Sequence, residues 1–247
     1  MSPDALERRS GVARTIFVAG LCLTALVCAG LGVWQMQRLS WKLDLIARVE
    51  ARLQAPPVAA PGPADWAGIT TAADEYRRVA LQGRYLDRPE TLAMAVTERG
   101  PGFWVMAPFR ADAGFTVLIN RGFVPEGQRA PEDRRRVAGE AARVVGLLRL
   151  SEPGGGFLRA NDPAAGRWYS RDTAAIAQAQ KLGEVAPYFV DADAITEPGP
   201  LPQGGMTQVN FRNAHLVYAL TWFCLALMGA GAVAYLIRHR SEEGAEA

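Results

Sequence analysis

Cysteine and histidine are absent from the long middle part of this 247-residue chain. The three cysteines are Cys22, Cys28 and Cys224, and the two histidines are His215 and His239. Without cysteine, the middle part cannot contain a disulfide framework, a CxxC redox pair or a thiolate zinc site. Without histidine, it cannot contain a Ser-His-Asp triad, a Cys-His pair or an imidazole-ligated metal. These absences argue against a conventional hydrolase or redox enzyme and leave open chemistry that uses only carboxylates.

The chain also lacks a strong charge of either sign. Its 27 Lys and Arg residues nearly balance its 25 Asp and Glu residues, and the formal charge is +2. No dense basic stripe is present, and Lys42 and Lys181 are the only lysines. The sequence therefore predicts no nucleic-acid partner.

Two long apolar runs lie near the ends of the chain. The first, residues 15–36, contains no charged residue, and the second spans residues 216–237. Each is long enough to cross a hydrocarbon core of about 30 Å, and backbone groups in lipid must form their hydrogen bonds within the segment. We therefore predict transmembrane helices at 15–36 and 214–237, with the lipid bilayer as a partner and a domain of about 175 residues between them.

Arginine is concentrated on the terminal side of both segments. The terminal flanks carry Arg8, Arg9, Arg14, Arg238 and Arg240, whereas the inner flanks carry Arg38, Lys42 and Arg212. By the positive-inside rule, the N-terminus (1–14) and the tail (238–247) lie in the cytoplasm. The domain between the helices is then exported.

The first segment has two rival interpretations. The triplet 27–29 could be the cleavage site of a signal peptide, and Cys22 or Cys28 could be a lipoprotein cysteine. However, the apolar run continues beyond the triplet to Trp34, and large aliphatic residues precede both cysteines where a lipoprotein needs a small residue. Both features favour an uncleaved anchor.

An amphipathic stretch follows the first transmembrane segment. Its apolar residues recur at spacings of three and four: Leu39, Leu43, Ile46, Val49 and Leu53. This periodicity predicts that the helix continues over 37–54 until Pro56 and Pro57 end it. The composition of 55–75, rich in proline and alanine, predicts a linker.

Residues 76–213 are predicted to form the exported domain. Short β-branched and aromatic runs, typical of strands, occupy 76–86, 91–98, 103–109, 115–124, 142–150 and 187–193. Most of these runs are separated by short turns, which favours antiparallel pairing. The segment 171–182 is predicted to be a helix opened by Asp172 and closed by Gly183. The predicted fold class is α+β: two transmembrane helices flank a domain built on a small antiparallel β-sheet or open barrel with one or two helices.

Three polar or glycine-rich features of this domain are interpreted as structural. Asp191 and Asp193 alternate on the predicted last strand and could form a carboxylate pair. Gly122, near the end of a hydrophobic strand, could supply a β-bulge. The run 154–156 lacks the lysine and the strand-to-helix setting of a phosphate-binding loop, so it predicts a turn.

His215 opens the second transmembrane segment and lies on a face of aromatic and small residues. Within about 60° of it on a helical projection fall Tyr218, Ala219, Trp222, Ala226, Gly229 and Val233. Small residues let helices approach closely, and Ala25, Ala29 and Gly32 offer a matching surface on the first segment. The inner half of this face is therefore predicted to pack helix on helix.

The outer half of the face, formed by His215, Tyr218 and Trp222, allows two interpretations. Histidine, tyrosine and tryptophan are all common near lipid headgroups, where they need no ligand. Alternatively, imidazole is a common axial ligand of haem iron, and the aromatic rings would cover the macrocycle. The residues alone leave both interpretations open.

A series of segments resembles, in matching order, segments of the Surfeit locus protein one family. They are LGVWQMQRLSWKLDLI, EYRRVALQGRY, GPGFWVMAPF, VLINRGFVP, GLLR, NDPAAGRWYSRD, PYFVDAD and NAHLVYALTWF, and they run from Leu31 to Phe223. Each segment is a weak signal alone, but their order together is specific. Proteins of this family are assembly factors for haem-copper cytochrome c oxidase, with a helix at each end and the domain outside the inner membrane.

The resemblance implies a non-enzymatic protein of a bacterial inner membrane whose periplasmic domain lies between the helices. Such a protein helps haem a to enter subunit I of the oxidase, or stabilises that subunit. Haem a would be the cofactor, subunit I a partner, and haem a synthase a candidate second partner. The family's histidine in the second helix matches His215, so His215 would ligate the iron, with Tyr218 and Trp222 beside the haem.

Two alternatives from other classes stay open. The protein could be a scaffold that clamps an oxidase subunit without binding a cofactor, because the small-residue helix faces would serve that role equally well. It could also be an exported enzyme that uses a pair of carboxylates, such as a glycosidase.

Overall fold

The computed structural model describes residues 3–130, 137–156, 158–194, 201–207 and 213–243. Arg212, which the sequence analysis counted beside the second transmembrane segment, lies outside these residues. The chain forms two compact units. One consists of Met1–Ala47 together with Asn210–Ala247, and the other of Arg48–Val209. We call them the helix unit and the barrel unit.

Two long helices, α1 (Pro3–Gln54) and α4 (His215–Glu243), provide the helix unit. Each contains a stretch that is long and apolar enough to cross a membrane, and little of either stretch is buried. A core helix of a soluble protein would bury this apolar surface, whereas a membrane helix exposes it to lipid. The two helices are therefore consistent with a two-pass membrane protein.

Helix α1 continues without a break through the amphipathic stretch and ends at Gln54. Residue 55 precedes Pro56, and a residue before proline is sterically disfavoured in the helical conformation. The prediction that the helix continues over 37–54 is confirmed.

The two helices pack in antiparallel order with a regular spacing. The less exposed positions of α1 include Arg14, Val18, Leu21, Ala25, Cys28, Gly32, Gln35 and Leu39. Those of α4 include His215, Ala219, Trp222, Ala226, Gly229, Val233 and Leu236. Spacings that alternate between three and four are typical of a left-handed helix pair.

Small residues set the distance between these helices. A Cβ added at Gly229 would lie 3.2 Å from the Cβ of Ala25, and one added at Gly32 would lie 2.6 Å from the ring of Phe223. A side chain at Gly229 would crowd Ala25, and one at Gly32 would displace the Phe223 ring. The predicted packing through small residues is confirmed at these positions.

Seven strands form the sheet of the barrel unit. They are β1 (Val58–Ala59), β2 (Arg78–Tyr85), β3 (Thr91–Thr97), β4 (Gly100–Ala111), β5 (Thr116–Pro125), β6 (Ala141–Leu150) and β9 (Val185–Ala192). Their order is β1-β2-β6-β9-β5-β4-β3, and a further pairing of β2 with β4 closes the middle five strands into a barrel. A small hairpin, β7 (Gly155–Gly156) with β8 (Arg159–Ala160), occupies the predicted glycine-rich turn.

The barrel contains one parallel pair, which the sequence analysis did not predict. Neighbouring strands are antiparallel around the ring except β5 and β9, which are parallel. Strand directions cannot alternate all the way around a ring of five, so closure requires at least one parallel pair. The short β1 also lies parallel to β2, outside the ring.

Two apolar clusters form the core of the barrel unit. The larger one takes side chains from all five barrel strands, including Val79, Phe109, Ile119, Leu148 and Tyr188. Because residues alternate between the faces of a strand, their neighbours Met106, Leu118 and Phe189 point the other way, into a second cluster with Trp168 and Ile176. Strand β5 is consequently buried on both faces, which explains its continuous hydrophobic run.

The segment 55–75, predicted as a linker, instead packs onto the barrel. Ala60, Trp66 and Ile69 contact the larger cluster, and the Trp66 ring stands edge-on to Phe115 at 6.0 Å. The Tyr188 hydroxyl also donates to the Pro61 carbonyl at 2.7 Å. The segment also contains a 3-10 helix (Trp66–Gly68) and the short helix α2 (Thr71–Asp74). It is therefore a packed part of the barrel unit and not a free tether.

Helix α3 (Thr173–Gln180) begins as predicted and ends earlier than predicted. The Asp172 side chain accepts a hydrogen bond from the Ala175 N–H at 3.0 Å and caps the helix. Lys181, and not Gly183, is the first residue in the left-handed conformation, with φ of 54°. Its backbone N–H closes the helix on the Ala177 and Gln178 carbonyls.

Gly83 permits the contact that closes the barrel. It pairs with Ala111 across the β2–β4 junction, and a Cβ at this position would lie 2.1 Å from the Arg110 carbonyl oxygen. No side chain fits at that distance, so glycine is required for the two strands to approach.

We expect Gly83→Ala to lower the free energy of unfolding of the barrel unit by about 1–3 kcal/mol, because the added methyl group forces β2 and β4 apart. The measurement is urea unfolding of the full chain in detergent, followed by tryptophan fluorescence. Gly62→Ala is the matched control, because nothing lies within 4 Å of a Cβ there. Equal stability of the two variants would contradict this role of Gly83.

Candidate functional site

His215 is the first residue of α4 and lies on the side of that helix that faces α1. Its Nδ1 is 2.8 Å from Oε1 of Gln35, and its backbone N–H donates to Oδ1 of Asn213 at 3.3 Å. An amide oxygen only accepts hydrogen bonds, so the imidazole Nδ1–H is the donor. Within the described part of the chain no residue pairs with Nε2. Nε2 is thus available to a ligand.

The other two predicted site residues lie in different environments. Trp222 is half-buried on the face of α4 that carries His215 and Ala219. Tyr218 is 56% exposed. The helix pair therefore brings Trp222 and His215 to its packed face and leaves Tyr218 at the outer surface.

The donor set fits an axial haem ligand. A metal-binding histidine usually donates its second ring N–H to an oxygen acceptor, which is how His215 uses Nδ1. The porphyrin supplies the four in-plane ligands of haem iron, so the protein needs only one or two. Three or more His, Cys, Asp or Glu side chains do not cluster as a metal site in the described residues, and a haem site requires no such cluster.

Gln35 was missed by the sequence analysis, although a signal was present. It is a polar amide side chain within an apolar run that contains no charged residue. It also follows Gly32 by three residues, which places it on the small-residue face of α1. A polar residue on the packed face of a membrane helix usually has a partner on the neighbouring helix.

An apolar groove runs along one flank of the helix pair. It has a volume of about 480 Å³ and is lined by Ala25, Leu26, Ala29, Phe223, Ala226, Leu227 and Ala230. Alanines form most of its floor, so the groove would admit a bulky apolar chain or a neighbouring helix.

A buried cluster of charges lies in the barrel unit around Asp191 on β9. This carboxylate is 4% exposed and accepts hydrogen bonds from Asn120 at 2.7 Å and Thr207 at 2.8 Å. It also forms ion pairs with Arg149 at 3.1 Å and Arg171 at 3.2 Å. Asp193 pairs with Arg78 at 2.7 Å, so the two aspartates bind arginines instead of forming the carboxylate pair considered from the sequence.

Arg171 connects this cluster to Glu152. The two side chains form an ion pair of 2.5 Å, and the Arg171 guanidinium lies 4.6 Å from the centre of the Phe189 ring. Burial alone would raise the pKa of Glu152, but the hydrogen bonds and charge of Arg171 outweigh it and hold this pKa below its ordinary value. Likewise, burial would lower the pKa of Arg149, but the charges of Asp191, Tyr76 and Glu75 raise it.

A second buried arginine sits at the predicted bulge. Arg121 and Gly122 together oppose Val105 of β4, which is a β-bulge with a glycine at φ of 133°. The prediction that Gly122 supplies a bulge is confirmed. The bulge directs Arg121, which is fully buried, into an ion pair with Glu90.

These interactions give the cluster a structural role. Arg149 and Arg171 both pair with Asp191, and Arg171 also pairs with Glu152. The separate Arg121 pairs with Glu90. A glycosidase needs a proton-donating carboxylic acid with a raised pKa beside a second carboxylate. The depressed pKa of Glu152 is the opposite of that requirement.

The pKa of Glu152 predicts a pH dependence of stability. Because the folded-state pKa lies below the ordinary value of 4.5, the Glu152–Arg171 pair stabilises the fold above that pH and is lost as the pH falls through the folded-state pKa. We expect Glu152→Gln to cost on the order of 1 kcal/mol at pH 7, since Glu152 is partly exposed and its charge is screened.

The loss should shrink as the pH falls below about 4.5, which urea unfolding at several pH values measures. Glu126→Gln, on an exposed turn, is the control. A loss that stays constant with pH would show that the charge of Glu152 does not stabilise the fold.

Comparison with known proteins identifies the relatives of the chain. The model of the SURF1 family matches residues 22–227. Surfeit locus protein 1 of Mus musculus is 39% identical over 224 residues, which cover 83% of this chain and 70% of the mouse protein. The human protein of the same name is 37% identical over 226 residues, covering 83% of this chain and 72% of the human protein.

A SURF1-like protein of Monosiga brevicollis is 38% identical over 217 residues, covering 81% of this chain and 79% of that protein. These matches confirm the resemblance that the ordered sequence segments indicated. They include both helices that form the candidate site, because Gln35 and His215 lie within the matched range. The chain belongs to the SURF1 family.

Proposed function

We propose that this chain is an assembly factor for haem-copper cytochrome c oxidase that binds haem a through His215 and passes it to subunit I. The observation that carries this proposal is the state of the imidazole: Nδ1 is engaged by Gln35, while Nε2 is without a partner in the described residues. Membership of the SURF1 family supports the role in oxidase assembly.

The proposed mechanism is binding rather than catalysis. His215 supplies Nε2 as an axial ligand, Trp222 offers an aromatic surface on the same helix face, and Tyr218 lies at the outer surface. Haem a, when bound, would bring its own redox and ligand chemistry to the oxidase subunit that receives it. The chain would hold this cargo in an apolar environment and release it by losing one coordinate bond.

The proposed setting is the inner membrane of a bacterium. The terminal arginines favour cytoplasmic termini, which would expose the barrel unit to the periplasm. Subunit I would receive the haem, and haem a synthase is the enzyme that would supply it. Both are membrane proteins that could reach the helix pair by lateral diffusion.

We expect His215→Ala to abolish haem a binding, because no other imidazole lies at that end of the helix pair. The measurement is the optical spectrum and haem content of the full chain purified from cells that make haem a. His239→Ala is a matched control, since it removes the only other histidine. If wild type and His215→Ala bind equally, or if neither binds, the ligand proposal fails.

The apolar groove favours a second candidate function, in which the chain clamps an oxidase subunit without a cofactor. A neighbouring transmembrane helix would pack against the alanines of the groove, which Ala230 helps to line. In this case His215→Ala would leave the haem content of the oxidase unchanged.

We expect Ala230→Leu to reduce co-purification of subunit I if the groove binds a helix of that subunit, because the larger side chain fills the space. Ala234→Leu is the matched control, since Ala234 is exposed one turn later and does not line the groove. Equal co-purification of the two variants, with loss of haem in His215→Ala, would favour haem binding over clamping.

A further inference from the structure

We propose that Gln35 is a positioning residue that holds the His215 imidazole in the Nδ1–H tautomer and so presents Nε2 to the iron. This inference rests on the proposed haem function and adds a residue on the other helix to the site. It assigns a role to a polar side chain that the membrane segment would otherwise bury at a cost.

The helix pair fixes the position of Gln35. The contacts between the helices occur in antiparallel register: Arg14 donates to the Leu236 carbonyl at 2.6 Å, and Gly229 packs on Ala25. Gly32 then packs on Phe223, one turn before Gln35. Gln35 thus follows these close contacts by one turn, and the register of the helices places its side chain opposite His215.

The chemistry of imidazole makes this contact consequential. A neutral imidazole carries one proton, and only the nitrogen without it can ligate a metal. The Gln35 oxygen, 2.8 Å from Nδ1, favours the proton on that nitrogen and leaves the lone pair on Nε2. A fixed acceptor on the other ring nitrogen also sets the plane of the ring and raises the basicity of the ligand.

The amide suits the membrane better than a carboxylate would. A glutamate could accept the same hydrogen bond, but an ionised side chain within an apolar segment is costly. A neutral acceptor orients the ring without adding a charge. Gln35→Leu therefore tests the orientation of the imidazole, and Gln35→Glu tests the effect of an added charge.

The tautomer can be tested without haem. We would label the histidines of the full chain with 15N and record the imidazole signals by NMR in lipid nanodiscs at a pH where the ring is neutral. Only two histidines are present, so His239→Ala assigns both sets of signals. We expect the Nδ1–H form in wild type and in Gln37→Leu, an exposed glutamine on the same helix, and a shift towards the Nε2–H form in Gln35→Leu.

The effect on the cofactor is measured by titrating haem a into the same variants. We expect Gln35→Leu to weaken binding of haem a about 10–100-fold, the usual effect of losing the hydrogen-bond partner of a ligating histidine. Gln35→Glu should restore binding and lower the reduction potential of the bound haem, because a carboxylate strengthens electron donation from the imidazole. The tautomer of His215, which a purely structural Gln35 would leave unchanged, is the readout that tests positioning.

The outcomes distinguish the two proposals. If wild type binds haem a through His215 while Gln35→Leu keeps both the tautomer and the affinity of wild type, the positioning role is wrong and the haem function stands. If neither wild type nor any variant binds haem a, the proposed function fails, and the positioning role towards the iron fails with it.

Discussion

In the helix unit, α4 can approach α1 because Gly229 has no side chain to hold it away from Ala25. The same close approach continues to Gly32 and Phe223 and brings the Gln35 amide within hydrogen-bond distance of His215. Hydrophobic burial does not drive helices together in lipid, so packing and polar contacts must do so. The glycine contacts provide the packing, and the amide–imidazole bond provides the polar contact. The contact between Gln35 and His215 consequently depends on the alignment of α1 with α4 that the glycine contacts allow.

The barrel unit uses its ionisable groups in a different way. The buried Asp191 forms ion pairs with Arg149 at 3.1 Å and with Arg171 at 3.2 Å, and both arginines are largely shielded from solvent. Removing one partner from such a cluster costs about 3–5 kcal/mol, because a buried charge is left uncompensated. Groups that are held this tightly are poor candidates for acid–base catalysis, which requires a proton that can be exchanged. The charge cluster around Asp191 therefore fits a structural role better than a catalytic one.

Local sequence patterns predicted the individual helices and strands better than they predicted which elements pair or pack together. Helical periodicity predicted the continuation of α1 to Gln54, and Asp172 was recognised as the cap of α3, because both depend on neighbouring residues. The closure of the barrel depends on β2 meeting β4 at Gly83, which no local pattern specifies. The packing of 55–75 was missed because its composition indicates an extended chain but not the surface that Trp66 contacts. For the site, the helical projection placed His215 and Trp222 on the packed face, whereas Tyr218, at the edge of the projected arc, is exposed.

The hydrogen bond between Gln35 and His215 joins residues 180 positions apart in the chain. Neither residue indicates a cofactor by itself, since a glutamine in a membrane helix commonly pairs with a neighbouring helix and a histidine at a helix end commonly lies among headgroups. Together they favour the Nδ1–H tautomer, which is the form that the proposed iron ligand requires. An interfacial histidine would need neither a particular tautomer nor an acceptor on another helix. The pairing thus favours the ligand interpretation on chemical grounds that are independent of the family resemblance.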